Sequence, residues 1–346
     1  MTGSGDLSGI DPPAIGAWFE AEIEGSRAPL RFTRIKGGHS NLTFRVDDAT
    51  GAAYVLRRPP LGTLLATAHD MAREYRIITS LAPTSVPVAP TLGLCEDDTV
   101  TGAPFYVMRF VEGHVVDTAD VADQVLDAPA RRRLGERVVD VLADLHAVDP
   151  DAVGLGDLGK KQDYLARQLK RWRTQWQRSK TRELAAMEEI AATLERRLPA
   201  QIGAAIVHGD FRIGNMLVSR AGDIAAVLDW ELCTLGDPLA DLGYLLNNWV
   251  QPGETSGANR GLALAPTAAG GFPARDELVE RYAERSGRET RGIAFYRAFQ
   301  YWRSAAIAEG VLARYLDGKM AGTIDADLYR QRVEELAAAA AELLAD

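Results

Sequence analysis

The sequence predicts an α+β protein in two lobes, a small antiparallel sheet followed by a larger, mostly helical body. Three observations lead there. Short alternating or β-branched segments crowd residues 30–110, amphipathic helical spacing dominates after residue 113, and a strand-loop-strand insert at 205–229 interrupts the helices. The expected boundaries are a flexible start with a leading helix over 1–29, the small lobe over 30–110 and the large lobe over 111–346.

In the small lobe, Leu30–Ile35, Asn41–Val46 and Ala53–Arg57 alternate as strands and are separated by Lys36–Ser40 and Asp47–Gly51, which suits a meander of hairpins. His69–Leu81 has helical spacing, with Met71, Glu74, Tyr75, Ile78 and Leu81 along one face, and the Pro-containing stretch after Leu81 stops it. Strands at Thr91–Cys95 and Phe105–Phe110 complete the sheet. Beyond Gly113, helices are expected over Arg131–Ala147, one long basic helix over Tyr164–Leu198, then Pro238–Val250, 276–287, 292–316 and 324–345. Gly318 is the expected stop between the last two, and the Gly/Ala/Pro-rich Gln251–Pro273 reads as a connection or lid.

The chain has 346 residues, 47% hydrophobic and 25% charged, so it can bury a large core. A net charge of −9 offers no general attraction to nucleic acid or an anionic membrane, and neither is an expected partner. No apolar stretch approaches the roughly 18 residues of a spanning helix. The N-terminal residues carry no signal-like region, and Cys95 and Cys233 lie far apart without metal-site spacing. A disulfide framework is not expected, and a cytoplasmic setting is. Oligomeric state is left open.

The chemistry concentrates in His208-Gly-Asp210-Phe-Arg212-Ile-Gly-Asn215 and in Asp229, which ends a later apolar strand. An acid, an amide five residues on and a second strand-end acid suit phosphoryl transfer. Asp210 can accept the proton of an attacking hydroxyl, while Asn215 and Asp229 offer oxygens to Mg²⁺ beside a nucleoside triphosphate. Arg212 either touches the moving phosphoryl group or pairs with an acid, and His208 is read as a loop-supporting residue rather than the base. Each residue alone would be an ordinary turn residue; their joint occurrence carries the argument.

His208–Asn215, Leu228–Glu231 and Gly236–Leu242 (Gly-Asp-Pro-Leu-Ala-Asp-Leu) together resemble the aminoglycoside phosphotransferase and choline kinase superfamily. The branch most similar includes the kinase-like domain fused to some acyl-CoA dehydrogenases. The resemblance runs from about residue 30 to the C-terminus. It implies a bilobal protein-kinase-like fold acting on small molecules with ATP or GTP as donor. It also implies Asp210 as catalytic base, Asn215 and Asp229 as magnesium ligands, and Asp241 holding the catalytic loop through its backbone. The small lobe should cover the nucleotide, with Gly37, Gly38, Ser40 and Asn41 approaching the phosphates and main-chain groups near Met108 and Phe110 meeting the base.

The sequence departs from the family where a lysine is expected near the end of the third strand: Arg57 stands there, followed by Arg58. An arginine keeps the charge but presents a planar fork. Glu74 on an otherwise apolar helix face needs a partner, and Arg57 would supply it; a surface arginine and a solvated glutamate are the alternative.

The acceptor is less legible. Lys160–Arg197 holds eleven Lys/Arg against five Asp/Glu. Gln168, Arg171 and Gln175 form a stripe beside Trp172 and Trp176, and Tyr301 and Arg303 on the 292–316 helix are candidates for the same pocket. The expectation is a small hydroxylated substrate, an anionic hydroxy-acid or acyl-type metabolite, rather than a cationic aminoglycoside. A solvated basic face with core tryptophans is the plain alternative. At the level of function, the alternatives are a non-catalytic nucleotide- or metabolite-binding pseudokinase and a true aminoglycoside kinase.

Overall fold

The computed structural model of the chain describes residues 7–35, 41–61, 70–251, 253–254, 265–319 and 324–345. It divides into two compact units, the first being Met1–Gly113 with Ala225–Glu231, the second His114–Ile224 with Leu232–Asp346.

In the first unit, α1 (Pro12–Glu22) starts with proline in its first turn, and Asp11 caps it by accepting from the Ala14 N–H at 3.1 Å. Strands β1 (Arg31–Arg34), β2 (Leu42–Asp47) and β3 (Ala53–Arg58) follow, then α2 (Met71–Leu81), β4 (Thr91–Cys95) and β5 (Phe105–Arg109). All pairs are antiparallel, in the order β1-β2-β3-β5-β4. Strict alternation in β2 sends Leu42, Phe44 and Val46 into one core with Ile15, Phe19, Leu56, Phe105 and Val107. Asp70 caps α2 by accepting from Arg73 N–H at 2.9 Å, which opens the helix at Met71; His69 lies outside the described residues. Val227 N–H donates to Pro87 O at 2.8 Å, tying the Ala225–Glu231 segment to the stretch before β4.

The second unit opens with β6 (His114–Val115), α3 (Ala119–Val125) and α4 (Ala128–Ala147), the last capped by Asp127 through the Ala130 N–H at 2.9 Å. The long basic helix expected over Tyr164–Leu198 is two helices, α5 (Tyr164–Ser179) and α6 (Ala185–Arg196). The break has a tertiary cause: fully buried Glu309 accepts from the N–H of Thr181 at 2.7 Å and from its hydroxyl at 2.6 Å. Next come β7 (Ala205–Val207), β8 (Met216–Val218) and, after β9 (Ile224–Val227), which runs into the first unit's Ala225–Glu231 segment, β10 (Thr234–Gly236); β7 pairs β10 and β6 pairs β8. Helices α7 (Leu239–Asn247), α8 (Arg275–Ser286), α9 (Ile293–Leu316) and α10 (Ala326–Ala345) complete the unit. Gly318 follows α9 at φ +68°, a left-handed conformation that suits a helix stop. Of the expected connection Gln251–Pro273, residues 252 and 255–264 lie outside the described residues. No helix among the described residues is long and apolar enough to cross a membrane. Cys95 and Cys233 are buried, and neither forms a disulfide.

Helices α4 and α8 meet through His146 and Tyr282, whose Nδ1 and hydroxyl lie 2.7 Å apart. Burial pushes the His146 pKa below its ordinary 6.5, against the opposing pull of Asp241. The folded state therefore holds this imidazole neutral. As pH falls below about 6.5 the unfolded chain takes up the proton first, so stability that is complete above that value is lost toward the lower folded pKa. Urea midpoints should fall between pH about 7.5 and about 5.5, and His146→Gln should flatten that slope. Phe44→Ala, emptying a fully buried position, should cost about 3–5 kcal/mol, read as a lower midpoint at pH about 7.5.

Candidate active site

In the first unit, antiparallel register sets Arg57 opposite Tyr106, and α2 brings Glu74 to both. Glu74 is 3% exposed and accepts from the Tyr106 hydroxyl at 3.0 Å and from Asn41 Nδ2 at 3.2 Å. Arg57 Nε lies 3.0 Å from Glu74 Oε2, so the pairing suggested by a lone acid on an apolar helix face is present. The same guanidinium reaches further, with Nη2 2.7 Å from Asp229 Oδ1. Burial disfavours the arginine's charge, but Tyr106, Glu74 and Asp229 more than offset this and raise its pKa. For Glu74 burial wins over Arg57, and its pKa is raised. Asp229 sits at φ +68°, a backbone conformation costing on the order of 1–3 kcal/mol for a residue with a side chain.

Arg58, one residue on, has a structural role. It is 3% exposed, and its guanidinium donates to the carbonyls of Gly9, Pro59 and Thr101. Asn41 turns its amide to Glu74. Met108 is buried between Val55 on β3 and Thr91 on β4. The Phe110 N–H donates to Ala53 O at 3.1 Å, so a base edge at this strand end would have to use other main-chain groups. Gly37, Gly38 and Ser40 lie outside the described residues.

In the second unit, the loop after β7 is held from α7. Buried Asp241 accepts from His208 N–H at 2.6 Å and from Gly209 N–H at 2.9 Å, and His146 Nε2 lies 3.5 Å from it. Gly209 takes φ +86°, which turns the chain into Asp210. Fully buried His208 accepts from Asp210 N–H at 3.2 Å through Nδ1. Asn215 Nδ2 donates to Asp210 O at 2.9 Å and to Asp210 Oδ2 at 2.7 Å. The other carboxylate oxygen, Oδ1, has no hydrogen bond among the described residues, and Arg212 Nε stands 3.5 Å from it. Asp237 caps the start of α7, accepting from Leu239 N–H at 3.1 Å and from the Tyr296 hydroxyl at 2.8 Å.

Around this loop α5 and α9 bring together part of the expected acceptor set. Arg303 Nη1 lies 3.5 Å from Gly209 O and donates to Gln300 Oε1 at 3.0 Å. Its guanidinium stands 5.3 Å from the centroid of the Trp172 ring and 5.9 Å from that of Tyr244. Arg171 also lies 5.4 Å from the Trp172 ring, and the buried Trp172 Nε1 has no hydrogen-bond partner among the described residues. Three other side chains of this region pack against neighbouring elements. Tyr301 is buried and pairs with Arg297, because residues two apart on a helix face different ways. Trp176 is core and donates to Glu188 at 3.1 Å. Gln175 packs against α9, where a Cβ at Gly310 would come within 3.6 Å of its Nε2. Gln168 is half-buried on α5.

Sequence reasoning missed Tyr244 and His146. Burial, with Asp210 next in effect, raises the Tyr244 pKa, which places its phenol beside the acid. Its spacing of three from Asp241 on one helix was the available signal. His146 had none, since its partner lies far along the chain.

The donor chemistry fits magnesium. No group of three or more His, Cys, Asp or Glu among the described residues could hold a metal alone. Magnesium characteristically takes one or two protein oxygens and completes its shell with phosphates and water. Asn215 spends its amide nitrogen on Asp210, which leaves its carbonyl oxygen for a cation. Asp229 keeps its side chain 31% exposed.

The model of the Phosphotransferase enzyme family matches residues 31–299. A mouse protein named acyl-CoA dehydrogenase family member 10 is 36% identical over 296 residues, which cover 85% of this chain and 27% of the mouse protein. A chicken acyl-CoA dehydrogenase family member 11 is 35% identical over 293 residues, 84% of this chain and 37% of that protein. The chain thus spans well under half the length of these curated relatives. Among solved structures, a Ralstonia eutropha protein assigned by name alone to the aminoglycoside phosphotransferases is 35% identical, with a TM-score of 0.83 over 97% of this chain and 98% of that one. The fold alone extends to spectinomycin phosphotransferase, at 11% identity and a TM-score of 0.63 over 96% of this chain and 98% of that one. The chain belongs to the phosphotransferase enzyme family, with a kinase-like α+β fold.

Proposed function

We propose that the protein is a magnesium-dependent small-molecule kinase that moves the γ-phosphoryl group of ATP or GTP to a hydroxyl of an acceptor carrying an anionic group. The observation that carries this reading is the state of Asp210. One oxygen is clamped by Asn215 and the other is left without a hydrogen bond among the described residues. A carboxylate held in that way can take a proton. As the acceptor oxygen bonds to phosphorus, its proton passes to Asp210 and the bond to the nucleoside diphosphate breaks. Asn215 and Asp229 are the proposed magnesium ligands, and the bound ion would offset charge on the phosphates. Arg57 is the proposed phosphate contact, oriented by Glu74. Asp241 and His208 keep the loop in shape, and Arg212 steadies Asp210 or the phosphoryl group.

The nucleotide assignment draws on the fold. An aminoglycoside phosphotransferase in complex with ADP and hygromycin B, and spectinomycin phosphotransferase in complex with ADP and spectinomycin, share it. The sheet-rich residues 30–110 are proposed to cover the nucleotide and residues 111–346 to carry catalysis and acceptor binding. The acceptor's charge is inferred from Arg303 and Arg171 around Trp172, beside the loop of Asp210. Cations there disfavour an aminoglycoside, which is itself cationic. The relatives' name, acyl-CoA dehydrogenase family member, supports an acyl-type acceptor as the one to try first. A second reading, a nucleotide-binding pseudokinase, is favoured only by arginine in place of lysine at position 57.

Phosphorus NMR of nucleotide turnover with a panel of hydroxy acids, their acyl thioesters, choline and aminoglycosides tests the reading. Turnover is expected with anionic acceptors, and Asp210→Ala should lower kcat by about 10²–10⁴-fold. Nucleotide binding with no transfer to any acceptor would leave the pseudokinase reading in its place. Arg303→Ala should raise KM for an anionic acceptor roughly 10- to 100-fold, as expected for loss of a hydrogen bond to a charged group, with a smaller change in kcat.

A further inference from the structure

Arg57 divides its guanidinium between two carboxylates. Nε is 3.0 Å from Glu74 and Nη2 is 2.7 Å from Asp229, the acid assigned above to magnesium. Glu74 has further support from Tyr106 and Asn41. Among the described residues, Asp229 has Arg57 as its one paired cation. The strained φ of +68° at Asp229 belongs to the same arrangement. We propose that Arg57 is an internal stand-in for the metal, holding the Asp229 carboxylate in the nucleotide-free protein so that a divalent cation arriving without nucleotide must compete with it. The inference rests on Asp229 being a magnesium ligand.

Reach and charge set arginine apart from lysine here. A guanidinium offers several donors in a fixed plane and can serve two acids at once. A lysine ammonium is a compact point charge on a shorter stem; placed on Glu74, it would hold Asp229 less firmly. With arginine present, a free metal ion would have to approach a carboxylate already neutralised and a fixed positive charge beside it. Phosphate oxygens change that balance, because they can accept the Nη2 donors and release Asp229 as they bring their own metal. The device would make the site poor at binding free metal and better at binding a metal–nucleotide complex. The arginine that departs from the family's expected lysine thereby acquires a role in ordering ligand entry.

Manganese, whose free ion is read by electron paramagnetic resonance, tests this without turnover. The native chain, Arg57→Lys and Asp229→Asn would be titrated with Mn²⁺ alone and again with ADP present. Arg57→Lys is expected to bind Mn²⁺ alone at least ~10-fold more tightly than the native chain, a difference of about 1.4 kcal/mol. The native chain should recover most of that gap when ADP is added. Equal affinity of the native and Arg57→Lys chains for Mn²⁺ alone, with Asp229→Asn weaker than both, would overturn the stand-in role while sparing Asp229 as a ligand. If Asp229→Asn changes nothing with or without ADP, the metal assignment itself fails and the inference with it. Should lysine not support the fold, Arg57→Gln keeps a donor for Glu74, removes the charge and is expected to shift affinity in the same direction.

Discussion

A carboxylate with almost no solvent contact organises the second unit. Asp241 is 1% exposed and takes two successive main-chain N–H groups, those of His208 and Gly209. A buried acid is tolerated where its lone pairs are filled, and backbone donors fill them without side-chain entropy. One helical residue thereby fixes the path of the chain immediately before Asp210. His146 packs against the same acid and is in turn held by Tyr282, so α4 and α8 contribute to the loop's shape. Helix α9 adds Arg303, which meets the loop at the Gly209 carbonyl. The candidate base is presented by a scaffold of several helices, and its own strand is short.

The first unit meets a related problem with a different solution. Glu74 is deeply buried and shares a cation with Asp229, so two acids depend on one guanidinium. Tyr106 and Asn41 complete the Glu74 shell. Such a network is stable only when each member is satisfied. The register of β3 against β5 and the capping of α2 by Asp70 both bear on it, because each sets where a member stands.

Most of the first unit's sheet was legible because period-two alternation survives in its strands, as in β2. The loop residues from His208 to Asn215 were legible for another reason: acid, amide and glycine spacing is chemical information that needs no tertiary context. Features set by distant partners were hidden. The division of the basic stretch at Thr181 depends on Glu309, more than a hundred residues away, and no glycine or proline marks it. The reach of Arg57 to Asp229 spans a comparable separation. On α9 the sequence offered Tyr301 and Arg303 together, yet helical geometry sends one into the core and the other toward Trp172. Composition can suggest a cationic face, but only rotation about a helix axis decides which cations share it.

Gly209 has a consequence for how this site can vary. A Cβ built there would meet Leu232 Cβ at 3.0 Å and Leu232 O at 3.0 Å, on a backbone already at φ +86°. Two independent barriers, crowding and handedness, therefore act at a single position. A saturation library at codon 209 should return glycine almost alone, whereas the neighbouring exposed turn at Ala221 would tolerate many residues.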